Sequence, residues 1–287
     1  TFYYGPGESL NMSNNWQKFS TDATELLFSA VDEDDVVDAE YALPEHIELF
    51  CPQQIMQKNY ALCLQFWEDG FTREELLGLV DDFLKDSNKP LAVKMRYKYI
   101  RARYKHLRFA QRLYSKKHQS GALFNMTTVL LGHFQDAFRN NNQQKLRFYG
   151  NILRLFLSKP VWSKVRFSLH HIDMDSEQGF VDYRRKEIKK LRELLANPQL
   201  TGKQFHDVRK VVSQQVSFYD TLRSLEPDKR EARKISRFMA AINGLMGDRH
   251  DVMVADKLAG GSSYDRPAPL DSDIRHRLEQ LLAIFPA

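Results

Sequence analysis

The sequence predicts an all-α protein, and three observations support that prediction. From Pro52 onward, apolar residues recur at the three- and four-residue spacing of one helix face. No segment sustains the apolar–polar alternation of period two that marks a half-buried strand. Turn-forming stretches such as Asn197-Pro198, Glu226-Pro227 and the Gly-Gly-Ser-Ser run at 260–263 separate the helical segments.

The elements follow in order from the amino terminus. Residues 1–50 show little periodicity, and we expect them to form an acidic, irregular leader. Its acidic residues from Asp32 to Asp35 are interpreted as a solvated linker rather than a metal site. Thr72, followed by Glu74 and Glu75, is a suitable helix start. Helices are predicted at 52–70, 72–86, 89–118, 121–140, 142–157, 161–171, 178–197, 201–224, 228–258 and 270–285.

Charge is distributed unevenly along the chain, whose net charge is +5. Residues 1–86 carry 18 acids and 4 Lys or Arg, a net of −14, whereas residues 87–287 have a net of +19. A basic body implies an anionic partner, and we expect the acidic leader to lie across the basic surface. No apolar run is long enough for a membrane, and Cys51 and Cys63 make no disulfide framework, so a cytoplasmic protein is predicted.

The segment 89–135 contains eleven Lys or Arg and neither Asp nor Glu. Seven of these cations recur at intervals of 4, 3, 4, 3, 4 and 4 residues, which places them on one face of one helix. These seven cations, called here the basic stripe, are Lys94, Lys98, Arg101, Lys105, Arg108, Arg112 and Lys116. At 1.5 Å per residue the stripe extends roughly 33 Å.

The surroundings of the basic stripe indicate what it faces. Like charges three or four residues apart cost about 0.2–0.5 kcal/mol per pair, so acids of a partner helix or a bound polyanion must offset the repulsion. Residues on both sides of the stripe are mostly apolar, among them Tyr104, Leu107 and Phe109, with His106 beside them. The stripe is therefore expected to face a groove or channel between helices rather than open water.

Two stretches of the chain repeat a common pattern, in which a basic helix precedes an apolar–Gly–x–x–x–Asp ending on the next helix. The first copy contains Lys98, Arg101, Gly132 and Asp136, and the second contains His206, Arg209, Lys210, Gly247 and Asp251. A repeated helical unit predicts two stacked bundles related by a pseudo-twofold axis. The glycines are expected at close helix crossings, and the aspartates are expected to pair with basic residues of the preceding helix.

These paired motifs resemble the conserved-histidine α-helical domain family, CHAD, over residues 90–287. Lys98 stands where the first repeat of that family has its histidine, and Ser213 and Val216 stand where basic residues usually recur. The resemblance implies a first helical repeat with its leading helices at 51–172 and a second repeat at 173–287. It also implies non-enzymatic binding of inorganic polyphosphate along a basic groove or channel, and association with polyphosphate granules.

The chemistry of the cations agrees with that implication, because Arg offers paired donors to phosphate oxygens and Lys supplies point charge. The candidate polyanion-binding residues are Lys94, Lys98, Arg101, Lys105, Arg108, Arg112, His206, Arg209, Lys210, Arg233 and Arg237. Gly132, Asp136, Gly247 and Asp251 are expected to have structural roles. No catalytic residue, cofactor or metal ligand is predicted, and the polar residues at 170–175 are interpreted as a turn.

Three other functions stay open at this point. Tyr97, Tyr104 and Phe109 beside the stripe would stack on bases if the partner were nucleic acid, although their placement favours packing. His206 and Asp251 would form an acid–base pair if the protein were a phosphohydrolase, but no activated nucleophile accompanies them. The acidic leader would be the binding segment if the protein were an interaction scaffold.

Overall fold

The structure, a computed structural model, describes residues 16–34, 36–37 and 43–286, and these residues form eleven helices and one pair of two-residue strands. The helices of the first half are α1 (Thr21–Asp32), α2 (Gln53–Glu68), α3 (Arg73–Lys85), α4 (Leu91–Tyr114), α5 (Ala122–Arg139), α6 (Gln143–Phe156) and α7 (Lys159–His170). Those of the second half are α8 (Glu177–Leu195), α9 (Gly202–Leu225), α10 (Arg230–Leu258) and α11 (Ser272–Ile284). The predicted all-α class is confirmed.

The predicted helix starts rest on local capping, and the structure shows the caps. The Thr72 hydroxyl accepts a hydrogen bond from the backbone N–H of Glu75 at 3.0 Å, which caps α3. Thr201 and Gln204 form a reciprocal capping box at the start of α9. All ten helices predicted from Pro52 onward are present, with ends that differ by a few residues. They were predictable because these signals are local.

The prediction of an irregular leader over residues 1–50 is wrong at α1, whereas the other described residues of this segment form no helix or strand apart from a turn after α1. α1 lies within it and buries Leu27 against the body, and the Trp16 indole donates to the carbonyl of His170 at 3.0 Å. Farther along, Ile47 and Leu49 are buried, and the N–H of Ile47 donates to the carbonyl of Ile284 at 2.8 Å. These parts of the leader therefore belong to the folded body.

A short β-ladder was also missed by the sequence pattern. β1 (Gln199–Leu200) pairs antiparallel with β2 (Ala268–Pro269), with Leu200 opposite Ala268. Two residues are too few for an alternating pattern to be visible in a sequence. The ladder fastens the connection between α8 and α9 to the chain that leads into α11.

The core of the described residues is continuous from Ile47 to Phe285, and α4 lies within it. On one side of α4, Tyr104 stacks on Phe124 and meets Trp67 edge-on. α4 also packs against α2, α5, α8 and α9, while α9 and α10 run antiparallel as the most closely packed helix pair. The pseudo-twofold relation between two bundles stays a prediction. In the described part of the chain, no helix combines the length and the apolar character needed to cross a membrane.

Candidate anion-binding site

The basic stripe lies at the boundary between core and solvent. Its members from Lys94 to Arg112 are half-buried, and only Lys116 is exposed. The flanking side chains of Ile100, Tyr104 and Phe109 are buried. The apolar flanks of the stripe are therefore packed into the protein, and the expectation that the stripe faces a groove stays a prediction.

Side chains of other helices meet the stripe at several points. Arg101 donates to Gln135 of α5, with 3.3 Å between Nη1 and Oε1. Burial raises the pKa of Tyr183 on α8, and the nearby Arg112 charge opposes that rise. Burial, and then the charges of Arg209 and Arg101, lower the pKa of His250 on α10 to about 4. The stripe therefore has neighbours on three other helices, α5, α8 and α10.

Arg108 and Arg101 each have a buried Nε without a hydrogen-bond partner among the described residues, and the pKa of Arg108 is also lowered. Burial, and then the nearby charges of Arg112 and Arg101, lower the pKa of the Arg108 guanidinium to about 10. A partly buried cation beside two others is costly unless an anion neutralises it. The surroundings of Arg108 therefore favour a bound anion.

The two glycines of the repeated motif occupy equivalent positions. A Cβ placed on Gly132 would lie 3.1 Å from the Nη2 of Arg101, and one on Gly247 would lie 2.9 Å from the Nη2 of Arg209. Each glycine makes room for the guanidinium of its own motif. The expected role of the two glycines at close helix crossings stays a prediction, and the atoms nearest to each glycine belong to an arginine side chain.

The aspartates of the two motifs lie near each other. Asp251 forms an ion pair with Arg139 at 2.8 Å. Arg139 lies on α5, whereas the sequence had predicted a partner on the helix that precedes Asp251. Burial raises the pKa of Asp136, the Arg101 charge opposes that rise, and the Asp251 charge adds to it. The structure therefore brings the ends of both motifs, which are far apart in the chain, into one neighbourhood.

The second motif presents less positive charge than the first. His206 stacks on His250 with 4.9 Å between ring centroids, and burial, followed by the Lys210 charge, lowers the His206 pKa to about 3. The Nζ of Lys210 is 3.2 Å from the carboxylate of Asp207. Within the described residues, no hydrogen bond or ion pair joins His206 to Asp251, so the acid–base pair considered for a phosphohydrolase is not formed.

The two remaining candidate cations have different surroundings. Arg233 is exposed, whereas the side chain of Arg237 is 3% exposed and donates to the carbonyl of Glu33 at 2.7 Å. The Glu33 carboxylate lies 3.5 Å from Arg237 and 3.4 Å from Arg223. The sequence did not indicate that these three residues meet. The acidic leader therefore does contact the basic body, and Arg237 serves to hold it.

The solvated-linker interpretation of the acidic residues from Asp32 to Asp35 is wrong at Asp34, whose side chain is only 17% exposed. Its Oδ2 lies 3.7 Å from the Nε2 of His106, and both groups adjoin the fully buried Asp220. Burial, and then the neighbouring Asp34, raise the pKa of Asp220, while burial lowers the pKa of His106 to about 4. Asp35 lies outside the described residues.

One further sequence interpretation, the packing of the aromatic residues beside the stripe, is confirmed, and the polar residues at 170–175 have partners of their own. Tyr97, Tyr104 and Phe109 are buried in the core, where bases cannot stack on them. The polar residues at 170–175 do not converge, because His170 bonds to Glu68 at 2.8 Å and Asp175 pairs with His118 at 3.0 Å. The segment after His170 connects α7 to α8, with a turn at His171 and an isolated antiparallel bridge between Met174 and Ser115.

In comparisons with known proteins, no protein-family model, no curated protein and no solved structure matches the chain.

Proposed function

We propose that the protein binds inorganic polyphosphate, or a polyanion of similar charge density, along the basic stripe, without catalysing a reaction on it. The observation that carries this proposal is Arg108, a partly buried cation placed between Arg101 and Arg112 with an unused Nε donor. Arginine donors of this kind suit phosphate oxygens. A phosphate group there would offset both the burial cost and the like-charge repulsion.

The shape of the stripe favours a polymer over a single nucleotide. From Lys94 to Arg112 the cations extend along α4 for about 27 Å, at 1.5 Å per residue. A nucleotide requires a compact cradle of backbone N–H groups for its phosphates, and the sequence contains no such glycine-rich loop. A flexible chain of phosphates would contact every cation along this length.

Polyphosphate is preferred to single-stranded nucleic acid because of the aromatic residues. Nucleic-acid grooves of this class combine cations with exposed rings on which bases stack. The rings beside this stripe, those of Tyr97, Tyr104 and Phe109, are buried. Cations without stacking rings fit a ligand made of phosphate alone. The resemblance of both motifs to CHAD repeats agrees, and association with polyphosphate granules in the cytoplasm is part of the same proposal.

Titration of the full chain with long-chain polyphosphate tests the proposal, with single-stranded RNA as competitor. We expect polyphosphate to bind more tightly than the RNA does. A plot of log Kd against log salt concentration should be linear with a slope near 4, because each of the six cations contributes about 0.7. Equal or tighter binding of RNA would contradict the ligand assignment. Release of phosphate from the polymer in the presence of Mg²⁺ would instead support a phosphohydrolase.

The contact between the leader and the basic body leads to a second prediction. Deleting residues 1–50 is not a clean test of the leader's charge, because it would also remove Leu27, Ile47 and Leu49 from the core. Neutralising Glu33 by substitution tests the charge alone. In Glu33→Gln, Arg223 and Arg237 lose their shared carboxylate, and one charge near an anionic ligand is worth about 1 kcal/mol at low salt. We expect about a fivefold gain in polyphosphate affinity at low salt.

The gain should shrink at and above physiological salt, because the screening length there is about 8 Å or less. Glu25→Gln is the matched control, since Glu25 is an exposed acid of α1. Equal affinities of the two variants at low salt would show that the Glu33 charge does not compete with the ligand.

A further inference from the structure

Three side chains from separate elements meet where the leader crosses the body. Asp34 follows α1, His106 lies on α4 and Asp220 lies on α9. One carboxylate oxygen of each aspartate and one ring nitrogen of the histidine all lie within 4.8 Å of one another. This cluster is separate from the cations proposed to bind polyphosphate, and it is built from groups that bind cations.

Groups behind the cluster orient two of its members. The Nδ1 of His106 is 3.0 Å from the hydroxyl of Ser217, which leaves Nε2 to face the aspartates. The Oδ1 of Asp220 accepts from Ser236 at 2.5 Å and from the Nε of Arg223 at 3.2 Å. Second partners of this kind are the usual means by which proteins fix the direction of metal ligands.

The other oxygen of Asp220 supplies an independent observation. Asp220 is fully buried, and its Oδ2 has no hydrogen-bond partner among the described residues. The neighbouring carboxylate of Asp34 donates no hydrogen bond when it is ionised. A buried carboxylate oxygen without a donor is costly unless a cation or a proton lies beside it.

The separation within the cluster fits a shared ion better than a hydrogen bond. The Nε2 of His106 and the Oδ2 of Asp34 are 3.7 Å apart, which is too long for a direct hydrogen bond. Two ligands that each lie about 2.1 Å from a tetrahedral ion are about 3.4 Å apart. The separation of His106 and Asp34 is thus close to the value that one ion would require, and Asp220 offers an oxygen within 4.8 Å of both.

We propose that Asp34, His106 and Asp220 bind a divalent transition-metal ion of the Zn²⁺ class, which ties the leader to α4 and α9. One imidazole with two carboxylates suits Zn²⁺, whereas Mg²⁺ and Ca²⁺ prefer oxygen ligands alone. Three protein ligands leave a position for water. The proposal is independent of polyphosphate binding, and either can fail without the other.

The test uses full-length protein stripped with EDTA and titrated calorimetrically with Zn²⁺, with Mg²⁺ in parallel. We expect one Zn²⁺ per chain, a raised Tm, slower hydrogen exchange in α1, and no comparable effect of Mg²⁺. Asp34→Asn should weaken Zn²⁺ binding by at least about tenfold. Asp32→Asn is the matched control, because Asp32 is exposed and its carboxylate hydrogen-bonds to Tyr99 instead. His170→Gln controls for binding at the His170–Glu68 pair.

Two outcomes would overturn the proposal. Equal Zn²⁺ affinity of wild type and Asp34→Asn would place the ion elsewhere, and an absence of Zn²⁺ binding would mean that the two carboxyl groups share a proton. X-ray absorption at the zinc edge of the loaded wild type gives an answer that needs no variant. One imidazole with oxygen ligands is expected, whereas sulfur or several imidazoles would contradict the site.

Discussion

The triple variant Arg101→Glu, Lys105→Glu, Arg108→Glu is expected to lose polyphosphate binding. Neutralising three cations beside an anionic ligand removes about 3 kcal/mol, or about 100-fold in affinity, and reversing their charge removes more. The salt dependence should fall as well, by about 0.7 in slope for each cation that no longer neutralises a phosphate. Binding measured over a range of salt concentrations tests both parts of the prediction.

Arg108 is partly buried, so a glutamate there carries its own desolvation cost, and a variant in which Gln replaces the same three residues should be measured beside it. The charge-matched control is Lys186→Gln, Lys189→Gln, Lys190→Gln on α8, where all three lysines are exposed. Unchanged binding in the stripe variants, with circular dichroism unchanged, would show that the stripe is not the binding surface.

The second motif should contribute less to binding than the first. His206 is neutral at physiological pH, because its pKa is lowered to about 3, and Lys210 is already compensated by Asp207. Replacement of His206, Arg209 and Lys210 by Glu should therefore weaken binding less than the triple variant of the stripe. Equal losses would mean that the two motifs contribute alike, contrary to this ranking.

The helices from Pro52 onward were predictable because their signals are local. Capping residues such as Thr72 lie next to the helices they start, and the period of apolar residues is visible within one segment. α1 was missed because its apolar face is short and lies in an acid-rich segment. Leu27 is buried only because Leu62 and Phe66 of α2 cover it, and a local pattern does not contain that information.

The candidate site was predictable to a smaller extent. The spacing of cations on α4 is local, so the stripe and its buried flanks were found. The positions of Gly132 and Gly247 were visible too, but a sequence does not show that a guanidinium fills the space beside each glycine. Asp34, His106 and Asp220 lie far apart in the chain, so no spacing rule connects them.

Arg184 is a charged residue, and charged residues usually lie at the surface. Its position on the apolar face of α8 nevertheless indicates that it is buried. Phe180, Ile188 and Leu191 share its face of α8, at intervals of four, four and three residues, and all are buried. The guanidinium is 0% exposed and donates to Gln215 at 2.8 Å, to Tyr219 at 3.1 Å and to the carbonyl of Leu49 at 3.3 Å. It also lies over the ring of Phe218 at 4.5 Å. Arg184 therefore joins α8, α9 and the segment before α2.

Arg184→Ala is expected to lower the free energy of unfolding by about 3–5 kcal/mol, because it leaves a cavity and removes the donor from three buried acceptors. Urea denaturation followed by circular dichroism measures the change. Arg185→Ala next to it is the control, since the Arg185 side chain is 52% exposed and pairs only at the surface with Asp182, so its effect should stay within about 0.5 kcal/mol. Equal destabilisation by the two variants would contradict the buried role. Polyphosphate affinity of folded Arg184→Ala should stay close to that of the wild type, because Arg184 is not part of the basic stripe and the cations proposed to bind polyphosphate are unchanged in this variant.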